Sequence, residues 1–306
     1  MHALSYKTRI NVTVEISPRI FCFYALLNIG GYDPESDIVH PVRKCIRDFL
    51  IKTIPESVHG KINTFMTSKE VRQEYWYPLR TWVLCHGQPP RFSALSKQWE
   101  KTLQNDNAIE FQGLLNLLWN RYEVSSQWEK LKFYYDTTKD RVFDNAHYAL
   151  NEALSYLRID KEQSSLNEFV VVPNFLDEPN RGLGPRIDRT AYAILGPSVM
   201  PEDSFPVSRI EHEFLHSIIN PITAEIFKDV HGRSLSKIRE GLINGIVLRV
   251  NSNNKDYVKR KRKALREKGF KIEKILHLLI SFEESRMDIK SFLSDNTQKI
   301  KEACLF

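Results

Sequence analysis

His212, Glu213, Phe214, Leu215 and His216 set two imidazoles four positions apart, with a carboxylate directly after the first. On a helix, residues four apart lie one above the other with about 6 Å between Cβ atoms, so both rings can reach one metal ion. Glu213 is turned about 100° from His212 and faces a water at the metal rather than the metal itself. The chemistry on offer is water activation. A zinc ion lowers the pKa of water to about 7, and a carboxylate beside it can take that proton and pass it on. His212 and His216 are therefore candidate ligands for Zn2+, one per chain, and Glu213 the candidate base.

A helix must position them. Ser208 followed by Glu211 reads as a capping box, and Pro221, which pushes Asn220 out of the α region, predicts the end of the run. Ile210, Phe214, Leu215, Ile218 and Ile219 cover most of the helix circumference. His212, Glu213, His216, Ser217 and Asn220 share the remaining arc. Such a helix is buried, and a buried polar arc needs partners, which a metal supplies. The bland alternative is a chance match with two core histidines.

Catalytic zinc takes three protein ligands and leaves one position open. Downstream, Glu225, Asp229, His231 and Glu240 are within reach of a fold-back. Glu225 follows Pro221 by only four residues, and Asp229 and His231 flank the Gly232 turn. Glu240 lies on a predicted helix through Ile238 to Val250, with Asn244 four residues on and an apolar stripe of Leu235, Ile238, Leu242, Ile246 and Val250. Gly241 and Gly245 each cost that helix about 1 kcal/mol against Ala, which suits the close approach of another helix.

The pattern resembles the gluzincin metallopeptidases. A metzincin would have Gly and His where Ile219 and Ile222 stand, and Cys85 lacks the setting of a peptide-deformylase ligand. Gluzincins take their third ligand, a Glu, from a second helix downstream, the place of Glu240. Thermolysin-type members bind the first zinc His with an Asp four residues after that Glu, where this chain has Asn244. The run His212-Glu-Phe-x-His-Ser-x-x-Asn-Pro221 and the segment Tyr192-Ala-Ile-Leu-Gly-Pro197 are also similar to a bacterial group regarded as zincin-like peptidases. The resemblance covers about residues 168–250. It implies an α+β, zincin-like fold in which the His212 and His216 helix is crossed by the Glu240 helix. It also implies hydrolysis of a peptide or protein substrate, with Asn244 and Asn220 supporting the ligands. His231, Tyr192 and Tyr257 are candidates to stabilise the oxyanion, and Tyr192–Leu195 is a candidate strand for aligning an extended peptide. The Gly-x-Met-Glu-Asn anchor of aminopeptidases is absent, which favours an endopeptidase.

The remaining chain sets the frame. Its 306 residues suffice for one large or two modest domains, and the formal charge of +6 is concentrated late in the sequence. Cys22, Cys45, Cys85 and Cys304 are scattered, as free thiols in a reducing compartment are, and no leader or apolar span is evident, so the expectation is cytoplasmic. Ile10–Ile16 alternates as a strand, and helical patterns follow at Phe21–Ile29, His40–Lys52, Val71–Cys85, Phe92–Leu103, Asn107–Glu123 and Gln127–Leu157. Glu168–Pro173 and Ala191–Gly196 read as strands around a turn-rich stretch. The predicted division is a helical region, 1–166, and a catalytic region, 167–306. The basic run from Lys259 to Lys263 reads as a solvated helix face. Its rival reading is a binding protein that acts on nucleic acid through its basic C-terminal helices.

Overall fold

The structure, a computed structural model, describes residues 10–32, 39–159, 165–198 and 205–305. The chain is α+β and rich in helix. After strand β1 (Asn11–Val14) come helices α1 (Pro18–Ile29), α2 (Pro41–Thr53), α3 (Glu56–Thr67), α4 (Gln73–Leu84), α5 (Asn105–Asn116), α6 (Val124–Asp136) and α7 (Lys139–Leu157). Strands β2 (Glu168–Pro173), β3 (Gly182–Leu183), β4 (Arg186–Ile187) and β5 (Thr190–Leu195) follow. Helices α8 (Val207–Ile226), α9 (Gly232–Val250), α10 (Lys255–Glu267), α11 (Ile272–Glu284), α12 (Ile289–Asp295) and α13 (Thr297–Leu305) complete the described residues. Among them no helix is long and apolar enough to cross a membrane.

The chain divides into two compact units, and the division is not the predicted one after residue 166. One unit comprises Thr13–Phe143 and Val170–Phe205; the other joins Met1–Val12, Asp144–Phe169 and Pro206–Phe306. The reason lies in pairing. Asn174 N–H donates to Leu195 O at 2.8 Å, and β3 and β4 pair antiparallel with β5, which keeps the turn-rich stretch with the first unit. The end of α7 is tied instead to α11: Tyr156 Oη donates to Glu283, and Arg158 donates to the carbonyls of Phe282, Glu283, Ser285 and Met287.

In the first unit α1 is the central element, buried at every residue from Arg19 to Ile29, with Ser17 as its N-cap. The helices α2 to α6 pack around it. The sheet order is β1-β2-β5-β3, with β4 also on β5. That order corrects one expectation. β5 has β2 on one side and β3 and β4 on the other, so Tyr192–Leu195 offers no free edge for an added peptide strand.

Three local readings also change. Phe92–Leu103 is no α-helix, because Gly87 and Leu95 amides bond to Ser93 and Cys85 carbonyls and draw the segment into a bridge of His86 with Ala94. Only a short 3-10 turn remains at Gln98–Lys101. Gln127–Leu157 is two helices, since the hydroxyls of Thr137 and Thr138 bond to the Tyr134 and Tyr135 carbonyls where α6 stops. The helix expected over Asn107–Glu123 ends at Asn116 and closes in a π turn, Leu117–Arg121.

In the second unit α9 lies among α8, α10, α11 and α13, and its residues Gly241 to Leu248 are all buried. The glycines do admit a close neighbour, but it is α11. A Cβ on Gly245 would stand 2.7 Å from Ile275 Cγ2 and 2.9 Å from Leu279 Cδ1. Phe169 and Phe214 pack ring to ring at 4.7 Å, anchoring α8 from its apolar face.

Candidate metal centre

The helix that carries His212 and His216 forms for reasons other than those its sequence announces. Ser208 does not cap it; the N-cap position falls at Pro206 without a side-chain hydrogen bond. Glu211, cast as the capping partner, is fully buried and accepts from Asn251 Nδ2 at 2.6 Å, while its Oε1 has no partner. Nor does Pro221 end the helix, which runs on to Ile226. A proline removes the bond to the carbonyl four residues back and pushes on it, opening the ladder. The carbonyl left without a helix donor is Ser217 O, and the turn that follows is held to α9. Arg239 of α9 donates to Asn220 O at 3.1 Å and to Thr223 Oγ1 at 3.0 Å, and that hydroxyl donates to Ile219 O at 2.7 Å.

Because α9 packs against α8, Glu240, next to Arg239, meets both imidazoles. His212 Nε2 and His216 Nε2 lie 3.3 Å apart, and Glu240 offers Oε1 at 3.2 Å from His216 and Oε2 at 3.6 Å from His212. The side chains are partly enclosed, at 12% exposure for His212, 17% for His216 and 36% for Glu240. A tetrahedral ion with bonds of about 2.0–2.1 Å separates its ligand atoms by about 3.4 Å, close to these spacings, two of which end on different oxygens of Glu240. Two imidazoles and one carboxylate form a donor set that could hold a metal ion.

Charge is distributed to match. Burial pushes His212 down toward its neutral, metal-binding form, and His216, Lys261 and Arg209 add to that against Glu240. Burial also opposes a charge on His216, yet the hydrogen bond to Glu240 and the nearby Glu213 and Glu240 carboxylates lift its pKa above the ordinary value. Glu240 is lowered: burial works the other way, but His216 and His212 outweigh it.

Glu213 is 3% exposed on α8 and stays outside the ligand triangle, close enough to bias His216. Asn220 lies beside His216 and favours its charged form, although its Oδ1 has no hydrogen bond of good geometry. Asn244 departs from expectation. Its Nδ2 donates to Glu240, to the backbone O at 2.7 Å and to Oε2 at 3.3 Å, and His212 Nδ1 is buried with no hydrogen-bond partner among the described residues. Asn244 therefore positions the third ligand, not the first imidazole.

The oxyanion candidates fare differently. His231 is exposed at the N-cap of α9, nine residues before Glu240, a rise of about 13 Å, and stands outside the ligand group. Tyr192 belongs to β5 of the other unit. Tyr257 lies near Ser208 and Glu211 on the first turns of α8, away from the ligand group. Lys261, one turn beyond Tyr257 on α10, was hidden in the basic run. It is half-buried beside the site, its pKa held down to about 8 by burial and then by Arg209 and Lys268, against the pull of Glu240 and Glu213. The signal was the row Tyr257, Lys261, Leu265, whose spacing of four marks an inward helix face.

Glu211 yields a separate test. Burial, with Glu152 adding and Asn251 opposing, raises its carboxyl from 4.5 to about 7. A proton held more tightly by the folded chain means that stability falls as pH rises through about 4.5 to 7, then levels off. The loss is on the order of 3 kcal/mol. Glu211→Gln should remove that component, as urea unfolding of the chelator-treated protein at pH 5 and pH 8 would show. An unchanged difference between the two pH values would contradict the buried carboxylate account.

The chain matches no family model, no curated protein and no solved structure.

Proposed function

We propose that this protein is a zinc-dependent peptidase with a zincin-like site of gluzincin type. The observation that carries the proposal is the triangle of His212 Nε2, His216 Nε2 and Glu240 carboxylate, with edges of 3.2, 3.3 and 3.6 Å, next to a buried Glu213 that is not part of it. A purely structural site has no use for such a carboxylate. His212, His216 and Glu240 would hold the ion, whose Lewis acidity lowers the pKa of water and polarises a carbonyl. Glu213 takes the proton from the attacking water and delivers it to the departing amine.

The alternative in which the basic C-terminal helices bind nucleic acid is less well supported. Arg262 and Arg266 on α10 are engaged by Glu273, and Lys263 lies 4.0 Å from Glu267. The four free cysteines suit a reducing compartment such as the cytoplasm.

The direct test is metal content followed by cleavage. Protein purified without chelator and offered zinc should carry about one ion per chain, and His216→Ala should lose most of it. With metal bound, a mixed peptide library should be cut and a chelator should stop it. Wild-type protein that stays metal-free under these conditions ends the proposal.

A further inference from the structure

Two cations at the rim of the metal centre have no partner among the described residues. Arg209 is on α8, three residues before His212 and four before Glu213; Lys261 is on α10. Both are half-buried, and among the described residues neither side chain has a hydrogen bond or an ion pair. The other arginines of α10 that turn toward α11, Arg262 and Arg266, are paired. Tyr257 is half-buried near Ser208 and Glu211 of α8, and Lys261, also half-buried, continues that face of α10 one turn on. Glu213 and Glu240 are near enough to favour the charge on Lys261, and Arg209 and Lys268 near enough to oppose it. The two carboxylates are already committed, one to the ligand triangle and one to proton transfer. Together they offset the two charges of a zinc ion and leave Arg209 and Lys261 in excess. Half-buried cations that repel each other are costly unless an anion joins them, and a carboxylate between a guanidinium and an ammonium makes strong, charge-assisted hydrogen bonds.

We infer that Arg209 and Lys261 form a subsite for a carboxylate of the substrate, so that the centre selects peptides with an anionic group next to the scissile bond. This deepens the zinc-peptidase reading and rests on it. The carboxylate can be the free C-terminus or an Asp or Glu side chain. A transient oxyanion would call for one electrophile, whereas two standing cations suit a group that is charged before the reaction starts.

Calorimetry with three capped dipeptides separates the cases: one with a free C-terminal carboxylate, its C-terminal amide, and an amide with Glu at the last position. Each is titrated into zinc-loaded and into chelator-treated protein. At least about 10-fold tighter binding of a carboxylate ligand than of the neutral amide is expected, reduced to within about twofold by Arg209→Ala and by Lys261→Met, and largely kept by Lys261→Arg. Preference for the free acid alone identifies a C-terminal carboxylate, and preference shared by the Glu amide identifies an acidic side chain. Equal affinity for acid and neutral amide in the wild type overturns the proposal. So does a Lys261→Met variant that loses kcat on every peptide alike with KM and binding unchanged, since that is the signature of an oxyanion contact. A protein that binds no zinc sinks the peptidase reading instead, while carboxylate preference in the chelated protein still reports on Arg209 and Lys261.

Discussion

Glu213→Gln is expected to keep zinc and the native fold while losing peptide hydrolysis by about 10³-fold or more. The size of the effect follows from two failures with one cause. An amide cannot accept the proton of the attacking water, and having taken none it cannot return one to the leaving amine. Gln preserves the shape of a side chain only 3% exposed in the α8 packing, so unfolding would not explain the loss. Zinc stoichiometry, circular dichroism and turnover on one well-cut peptide, read together, decide it. Near-normal turnover would remove Glu213 from the base role, and loss of zinc would move it among the ligands.

Glu240→Ala should weaken zinc binding by more than about 100-fold, because even partners outside the coordination sphere are worth 10–100-fold. The substitution removes the only carboxylate in the ligand triangle and leaves two imidazoles facing each other at 3.3 Å. His231→Ala is the matched control. Exposed at the end of α9, it should leave the metal in place and the rate close to wild type. Zinc titrations against a competing chelator give both numbers. Should His231→Ala lose the metal while Glu240→Ala retains it, the assignment of the third ligand is wrong.

What could be read in advance was whatever depends on local spacing. The pairing of His212 with His216 and the exclusion of Glu213 from the triangle follow from helix geometry alone, and β1, β2 and β5 follow from alternation and β-branched runs. Glu240 was legible as a well-placed carboxylate, but its meeting with the imidazoles depends on how α9 packs on α8. Pro221 misled because a proline inside a helix removes one bond, and the contacts that hold the turn around it, Arg239 with Asn220 and Thr223, come from another helix. Asn244 misled because an amide has two ends: its NH2 is turned to Glu240, and its Oδ1, the end an imidazole N–H would need, makes no hydrogen bond among the described residues. Lys261 escaped because a run of basic residues does not say which one faces inward until the neighbouring helix is present.

The order in which the chain leaves the ribosome gives the two-unit division a further meaning. Thr13–Phe143 and Val170–Phe205 have all been made before α8 appears, so the first unit can close while the second has only residues up to Val12 and Asp144–Phe169. At about 5–20 residues per second, Pro206–Phe306 takes some 5–20 s more to synthesise. During that delay Leu150, Leu154, Leu157 and Phe169, all buried in the finished protein, await their helical partners. If the proposed site takes up zinc, it does so late for the same reason, since His212 and His216 emerge before Glu240 and before the α11 residues that seat α9. A nascent chain stalled between α8 and α9 would be a poor zinc scavenger and a good client for a chaperone.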